Sequence, residues 1–210
     1  MKYKAVIFDL DGVICHTDRY HYQAWKQVAD ELGVYFDEEI NNRLRGISRM
    51  ESLEIILENY HGNLNKTFLA EKKNEIYKEL LKHMSPKDLS GEVKTTLDAL
   101  RLKGLKLGIG SSSKNAGFIL ERLGLFGYFD AISDGNNITN SKPDPEVFLK
   151  AARFLSEDPK GCLVVEDAKA GLEAAKAGNM DCGAIGDGIS CNIATYQLNT
   201  FSDLLKIVEP

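Results

Sequence analysis

The stretch VIFDLDGVICHTD, residues 6–18, decides how this chain is read. Three apolar residues run straight into Asp9, and Asp11 and Gly12 follow at once. An unbroken apolar run of this kind marks a strand of a parallel sheet that is covered on both faces. Charge at the end of such a strand is costly to bury. Residues i and i+2 of a strand project to the same side, roughly 6.5 to 7 Å apart by strand rise. Two carboxylates that close need a counter-ion or a shared task. A divalent cation would meet the need, and hard oxygen ligands suit Mg2+. The plainer alternative is a turn, with Asp11 capping it and Gly12 making the bend.

Working outward, the chain alternates. Short strand-like runs recur at 105–109 (LKLGI), 162–165 (CLVV) and 182–185 (CGAI). Helical patterns stand at 93–103, 114–123, 145–155 and 168–178. Strand–helix alternation predicts an α/β fold, a Rossmann-like parallel sheet with helices on both faces. Residues 17–85 break the alternation. Apolar residues there recur at three- and four-residue spacing, with Gly33 and Gly62 as expected helix stops. The expected organisation is a discontinuous α/β core, 1–15 with 89–210, and a helical insertion at 16–88.

Composition narrows the functional classes. The 210 residues are 43% hydrophobic and 27% charged, with a net charge of −5. An acidic balance favours neither nucleic acid nor an anionic membrane as partner. No apolar run approaches the ~18 residues of a membrane span. A strand-like segment directly at the start argues against a signal peptide. Cys15, Cys162, Cys182 and Cys191 form no CxxC pair, so reduced thiols and a cytoplasmic location are expected.

Other strand ends carry chemistry as well. Glu166 and Asp167 follow CLVV; an acidic pair there can ligate a metal or cap a helix. Ser111, Ser112 and Ser113 follow LKLGIG, where hydroxyls and amides can hold a phosphate oxygen. Gly108 and Gly110 hint at a dinucleotide fingerprint, but Ser113 takes the third glycine's place. Lys142, in NSKPDPEVF, adds a positive charge ahead of a Pro-initiated helix, or is simply a solvated loop lysine.

DLDG at 9–12, GSSSKN at 110–115, SKPDP at 141–145 and VVEDA at 164–168, in that order, resemble the four motifs of the haloacid dehalogenase superfamily of phosphotransferases. The resemblance implies Asp9 as nucleophile and Asp11 as general acid/base. It implies Mg2+ on Asp9, the Asp11 main-chain carbonyl, Asp167 and, directly or through water, Glu166. Ser111 and Lys142 would hold the transferring phosphoryl oxygens. The helical insertion would be the family's cap.

Cap residues narrow this to a resemblance to the β-phosphoglucomutase subfamily. CHTDRYHYQAW carries His21 and Trp25, RLRGISRMESL carries Arg45, Gly46, Arg49 and Ser52, and KKNEIY carries Lys73 and Asn74. SSSKN carries Ser113, Lys114 and Asn115. Taken singly, Arg49 reads as a salt-bridged surface residue, Trp25 as core, His21 as a surface histidine and Lys73 as part of a solvated charged run. A lysine is common in the subfamily where Arg45 stands. The resemblance implies interconversion of β-D-glucose 1-phosphate and glucose 6-phosphate through β-glucose 1,6-bisphosphate, by a monomer acting on a small phosphosugar. A phosphomonoester phosphatase is the alternative, and a non-catalytic phosphosugar-binding protein the third reading.

Overall fold

The apolar run ahead of Asp9 forms β1 (Ala5–Phe8). It lies inside a six-stranded sheet in a computed structural model that describes residues 2–209. The other strands are β2 (Lys106–Gly110), β3 (Ala131–Ser133), β4 (Cys162–Glu166), β5 (Asp181–Ile185) and β6 (Tyr196–Leu198). They run parallel in the order β3-β2-β1-β4-β5-β6. Phe8 stands opposite Ile109 on β2 and Val165 on β4. That register brings Asp9, Ser111 and Asp167 out at one edge of the sheet, beyond the carboxyl ends of neighbouring strands. Open α/β sheets bind ligands at this edge.

Side chains explain why the strands read as continuous apolar runs. Val6, Phe8, Leu107, Ile109, Leu163 and Val165 are buried on one face. They pack with Val93, Leu97 and Leu100 of α5 (Gly91–Leu102) and Ile119 and Leu120 of α6 (Ala116–Arg122). Ala5, Ile7, Val164, Cys182 and Ala184 are buried on the other. Their partners include Val147 and Phe148 of α7 (Glu146–Phe154) and Leu172 and Ala175 of α8 (Lys169–Ala177). With both faces covered, no polar alternation survives. The short α9 (Leu204–Ile207) closes the chain.

Two strands escape the sequence. β3 and β6 are three residues each, AIS and YQL, and lie at the sheet's two edges. Each pairs with a single neighbour, so neither needs a long apolar run.

Between β1 and α5 lie α1 (Asp18–Glu31), α2 (Glu38–Asn42), α3 (Arg49–Ile56) and α4 (Lys66–Leu81). They share an apolar cluster that includes Trp25, Val28, Leu53, Ile56 and Leu69. Ser48 and Glu51 form a capping box that starts α3, and the Asn65 side chain accepts from the Phe68 amide at the start of α4. Gly33, at φ +66°, follows the end of α1 as expected. Gly62 does not stop a helix: α3 has already ended at Ile56, and Gly62 lies in the loop before α4. The bases of α1 and α4 root in the core through Tyr20, Ala24, Tyr77 and Leu81. Arg122 of α6 donates to the Met84 and Lys82 carbonyls, at 2.6 and 2.8 Å, and so satisfies the exposed end of α4. No helix among the described residues is long and apolar enough to cross a membrane.

Candidate active site

The Asp9 amide donates to the Val165 carbonyl at 2.9 Å, so its backbone still belongs to the ladder while its side chain turns into the edge cleft. Lys142 is 1% exposed and lies between two carboxylates. Its Nζ donates to Asp9 Oδ1 at 2.5 Å and to Glu166 Oε1 at 2.8 Å. Glu166 Oε2 accepts from the Asp167 and Ala168 amides at 2.7 and 3.2 Å. Both oxygens of Glu166 are thus engaged, one holding Lys142 and one holding the head of α8.

Two glycines make room for this acidic set. A Cβ on Gly171 would sit 1.6 Å from Glu166 Oε1. Gly12, at φ +93°, lies against Asp167, and a Cβ there would sit 2.1 Å from its Oδ2. Neither position admits a side chain without moving a carboxylate.

Oxygens of Asp9, Glu166 and Asp167 lie within 4.8 Å of one another, and all three residues are buried. Among the described residues, Lys142 bonds two of these carboxylates and the Arg45 guanidinium lies 3.9 Å from the third, so two cations face three carboxylates. Burial pushes Asp9 and Asp167 well above the usual carboxylate range; the Glu166 charge pushes both further, against the pull of Lys142. A surplus of buried hard oxygens fits Mg2+.

A pH-dependent metal effect follows. The unfolded chain releases the protons of Asp9 and Asp167 near pH 4, whereas the metal-free fold holds them to about 8 and about 9. The stability they contribute is complete below about pH 4 and is lost as pH rises through 8 to 9. A cation competes with those protons, so stabilisation by Mg2+ increases across the same window. Calorimetry with and without Mg2+ at acid and alkaline pH checks this; an equal Tm shift at both would contradict it.

Asp11 stands apart from this cluster. Its Oδ1 accepts from the Thr17 hydroxyl, and burial pushes its carboxyl up to about 6, with Thr17 opposing. A carboxyl poised there exchanges a proton near neutral pH.

The helical insertion roofs the cleft. Lys73 is 3% exposed and has no carboxylate partner among the described residues. Its Nζ lies 2.9 Å from His21 Nδ1, and 4.9 and 4.5 Å from the ring centres of Trp25 and Tyr77. Burial, reinforced by the Arg49 charge, lowers Lys73 to about 7. His21 is held neutral by burial and by the two cations beside it, which makes Nδ1 the acceptor from Lys73. The solvated-run reading of Lys73 therefore fails: helix α4 turns Lys72 to Glu31 and Lys73 inward.

The Tyr77 ring lies 4.2 Å from that of His21, tilted by 34°, and its buried hydroxyl has no hydrogen-bond partner among the described residues. Leaving such a group unpaired costs about 1–3 kcal/mol. Tyr77→Phe is therefore expected to stabilise the protein by about 1 kcal/mol in urea melts. A loss of stability would mean the hydroxyl has a partner after all.

A second polar knot joins the insertion to the core. The Asn74 side-chain oxygen accepts from Arg49 at 2.7 Å and from Asn115 at 2.9 Å. The Ser112 hydroxyl donates to the Gly46 carbonyl at 3.2 Å. Arg45 pairs with Asp18 at 2.5 Å, lies 3.9 Å from Asp167, and also pairs with Asp187. Ser113 lies between Ser111, whose hydroxyl accepts its amide, and the Asn115 amide, which donates to its own hydroxyl. Ser52 is buried and donates to the Ser48 carbonyl within α3. Lys114 is exposed at the rim.

All of these residues singled out in the sequence line one cavity of about 990 Å³ between the insertion and the sheet edge. A model of haloacid dehalogenase-like hydrolases matches residues 3–179. The chain belongs to that family. It is 43% identical over 206 residues to a β-phosphoglucomutase of Bacillus subtilis, covering 96% of this chain and 91% of that one. It is 33% identical over 185 residues to a phosphorylated carbohydrates phosphatase of Thermotoga maritima, covering 85% and 82%. A crystal structure of β-phosphoglucomutase from Clostridium difficile superposes with a TM-score of 0.90 at 37% identity, covering 96% and 93%. The haloacid dehalogenase-like fold thus accounts for the whole arrangement of sheet, edge cleft and inserted helices.

Asp18 and Tyr77 line this cavity, and Thr17 and Asp187 hold its lining residues Asp11 and Arg45, without having been singled out as site residues. Thr17 had a usable signal, since a hydroxyl follows the DLDG turn within one bend. Asp187 had none, because only the tertiary fold brings it to Arg45.

Proposed function

We propose that this family member is a Mg2+-dependent phosphomutase that interconverts β-D-glucose 1-phosphate and glucose 6-phosphate through β-glucose 1,6-bisphosphate. Support comes from one cavity with two sets of groups suited to phosphate. Asp9, Ser111 and Lys142 line the sheet edge, and Arg49, Lys114 and Asn115 line the roof and the start of α6. A bisphosphate needs both.

Asp9 attacks phosphorus, forming an aspartyl phosphate as the bond to the sugar oxygen breaks. Asp11 gives its proton to that leaving oxygen, then takes one from the acceptor hydroxyl in the return transfer. Lys142 and Ser111 hold the phosphoryl oxygens in line. Mg2+ would be held by Asp9, Asp167 and the Asp11 main-chain carbonyl, with Glu166 acting directly or through water. When bound it would screen the charge between carboxylate and phosphate. Trp25 and the segment carrying Gly46 and Ser52 cover the sugar and exclude water. The four unpaired cysteines favour a cytoplasmic location, and the family resemblance favours a monomer.

Relatives that are phosphatases make hydrolysis the competing outcome. Arg49 separates the two, because a guanidinium with no carboxylate ion pair among the described residues can grip a distal phosphate bidentately. Arg49→Ala is expected to cut kcat/KM for glucose 1-phosphate by about 10- to 100-fold, the worth of one charged hydrogen-bonded contact. Phosphoenzyme formation from acetyl phosphate, which lacks a distal group, should be unchanged. Equal losses on both substrates would remove Arg49 from the distal site.

A further inference from the structure

We propose that Arg45 is a latch that fastens the helical insertion over the metal edge of the cavity, with Asp187 as its anchor, and that it acts on closure and not on the phosphosugar. The proposal rests on the phosphotransferase reading of the site and adds to it a device that governs access of water.

The guanidinium of Arg45 is already engaged. It pairs with Asp18 at 2.5 Å and with Asp187, and lies 3.9 Å from Asp167. Asp18 begins α1 and belongs to the same inserted segment as Arg45, whereas Asp187 and Asp167 belong to the core. Arg45 therefore ties the insertion to the core. Arg49 differs in kind, since its partner is the neutral Asn74 amide. Among the described residues, a phosphate dianion would have to displace two paired carboxylates to reach Arg45, but none to reach Arg49.

The turn that carries Asp187 is shaped for this contact. Gly186 takes φ +58°, which brings the chain back sharply after β5. A Cβ on Gly188 would sit 3.0 Å from the backbone of Asp167, so the turn lies directly on that residue. Asp187 is thereby presented beside the metal edge although its own side chain is 82% exposed. The Ser112–Gly46 hydrogen bond makes a second tie one residue along from Arg45. Because Asp187 is exposed, salt screens its pairing, and the latch weakens as ionic strength rises.

Hydrogen exchange of the amides at 44–47, in Mg2+-loaded protein, reads the latch without any reference to turnover. Asp187→Asn keeps the shape of the side chain and removes its charge at an exposed position. It is expected to speed this exchange about 2- to 5-fold, the effect of losing a partly exposed ion pair. Arg45→Ala should do at least as much, and Asp187→Asn should add nothing to it, since the two share one contact. Arg45→Lys should recover part of the protection.

The same variants, phosphorylated on Asp9 with acetyl phosphate, should lose the phosphoryl group to water faster by a similar factor. KM for glucose 1-phosphate should stay within twofold. Unchanged exchange in Asp187→Asn, or additive effects of the two changes, overturns the latch. A raised KM in Arg45→Ala with unchanged exchange would make Arg45 a substrate ligand instead. Failure to form glucose 6-phosphate would count against the mutase reading alone, because exchange is measured without sugar.

Discussion

Asp9→Asn is expected to abolish turnover, by a thousandfold or more, while the chain stays folded. The amide matches the carboxylate in size and can still accept from Lys142, now 2.5 Å from Oδ1. What it lacks is the lone-pair charge that attacks phosphorus. No neighbouring group can substitute. Glu166 is engaged by Lys142 and two backbone amides, and Asp11 is bonded to Thr17. Stability should not fall, because burial already disfavours the charge on Asp9. Single-turnover assays with acetyl phosphate, together with a thermal melt, separate the two effects. Appreciable turnover in a folded Asp9→Asn protein would remove Asp9 as nucleophile.

Lys142→Met should be the most damaging change to stability. Lys142 is the only ammonium bonded to the buried carboxylates among the described residues, at 2.5 and 2.8 Å. Removing it leaves Asp9 and Glu166 buried without a counter-charge, at a cost of about 3–5 kcal/mol. The sign of the pH dependence follows. Loss of the ammonium raises the Asp9 and Asp167 carboxyls further above their unfolded values, so the variant's stability is greatest where these are protonated and falls as pH rises. The deficit against wild type, read from urea melts, should therefore be larger at pH 8 than at pH 5. A deficit independent of pH would mean that Lys142 stabilises by packing on Phe148, whose ring it covers at 4.8 Å, and not by charge.

The core was legible for a physical reason. β1, β2 and β4 are almost wholly buried and run directly into the proposed site residues Asp9, Ser111 and Asp167, so apolar run and polar terminus coincide in sequence. β3 and β6 lack that coincidence, since three-residue edge strands leave no pattern. The inserted helices were legible from their periodicity, but the direction of single side chains was not. Lys72 and Lys73 are adjacent in a charged run, yet one reaches Glu31 and the other enters an aromatic cage. Only the helical phase of α4 against α1 decides between them. Arg45 shows the same limit. Its cap-loop motif suggests a substrate contact, whereas its observed partners, Asp18 and Asp187, come from distant positions.

Following both products in one reaction tests the proposed function most directly. The protein, with Mg2+, is given β-glucose 1-phosphate and a trace of β-glucose 1,6-bisphosphate, and glucose 6-phosphate and inorganic phosphate are measured together. A phosphomutase with a closing cap gives glucose 6-phosphate in large excess over free phosphate. Stoichiometric free phosphate with no glucose 6-phosphate would contradict the account and make the same aspartates those of a phosphatase.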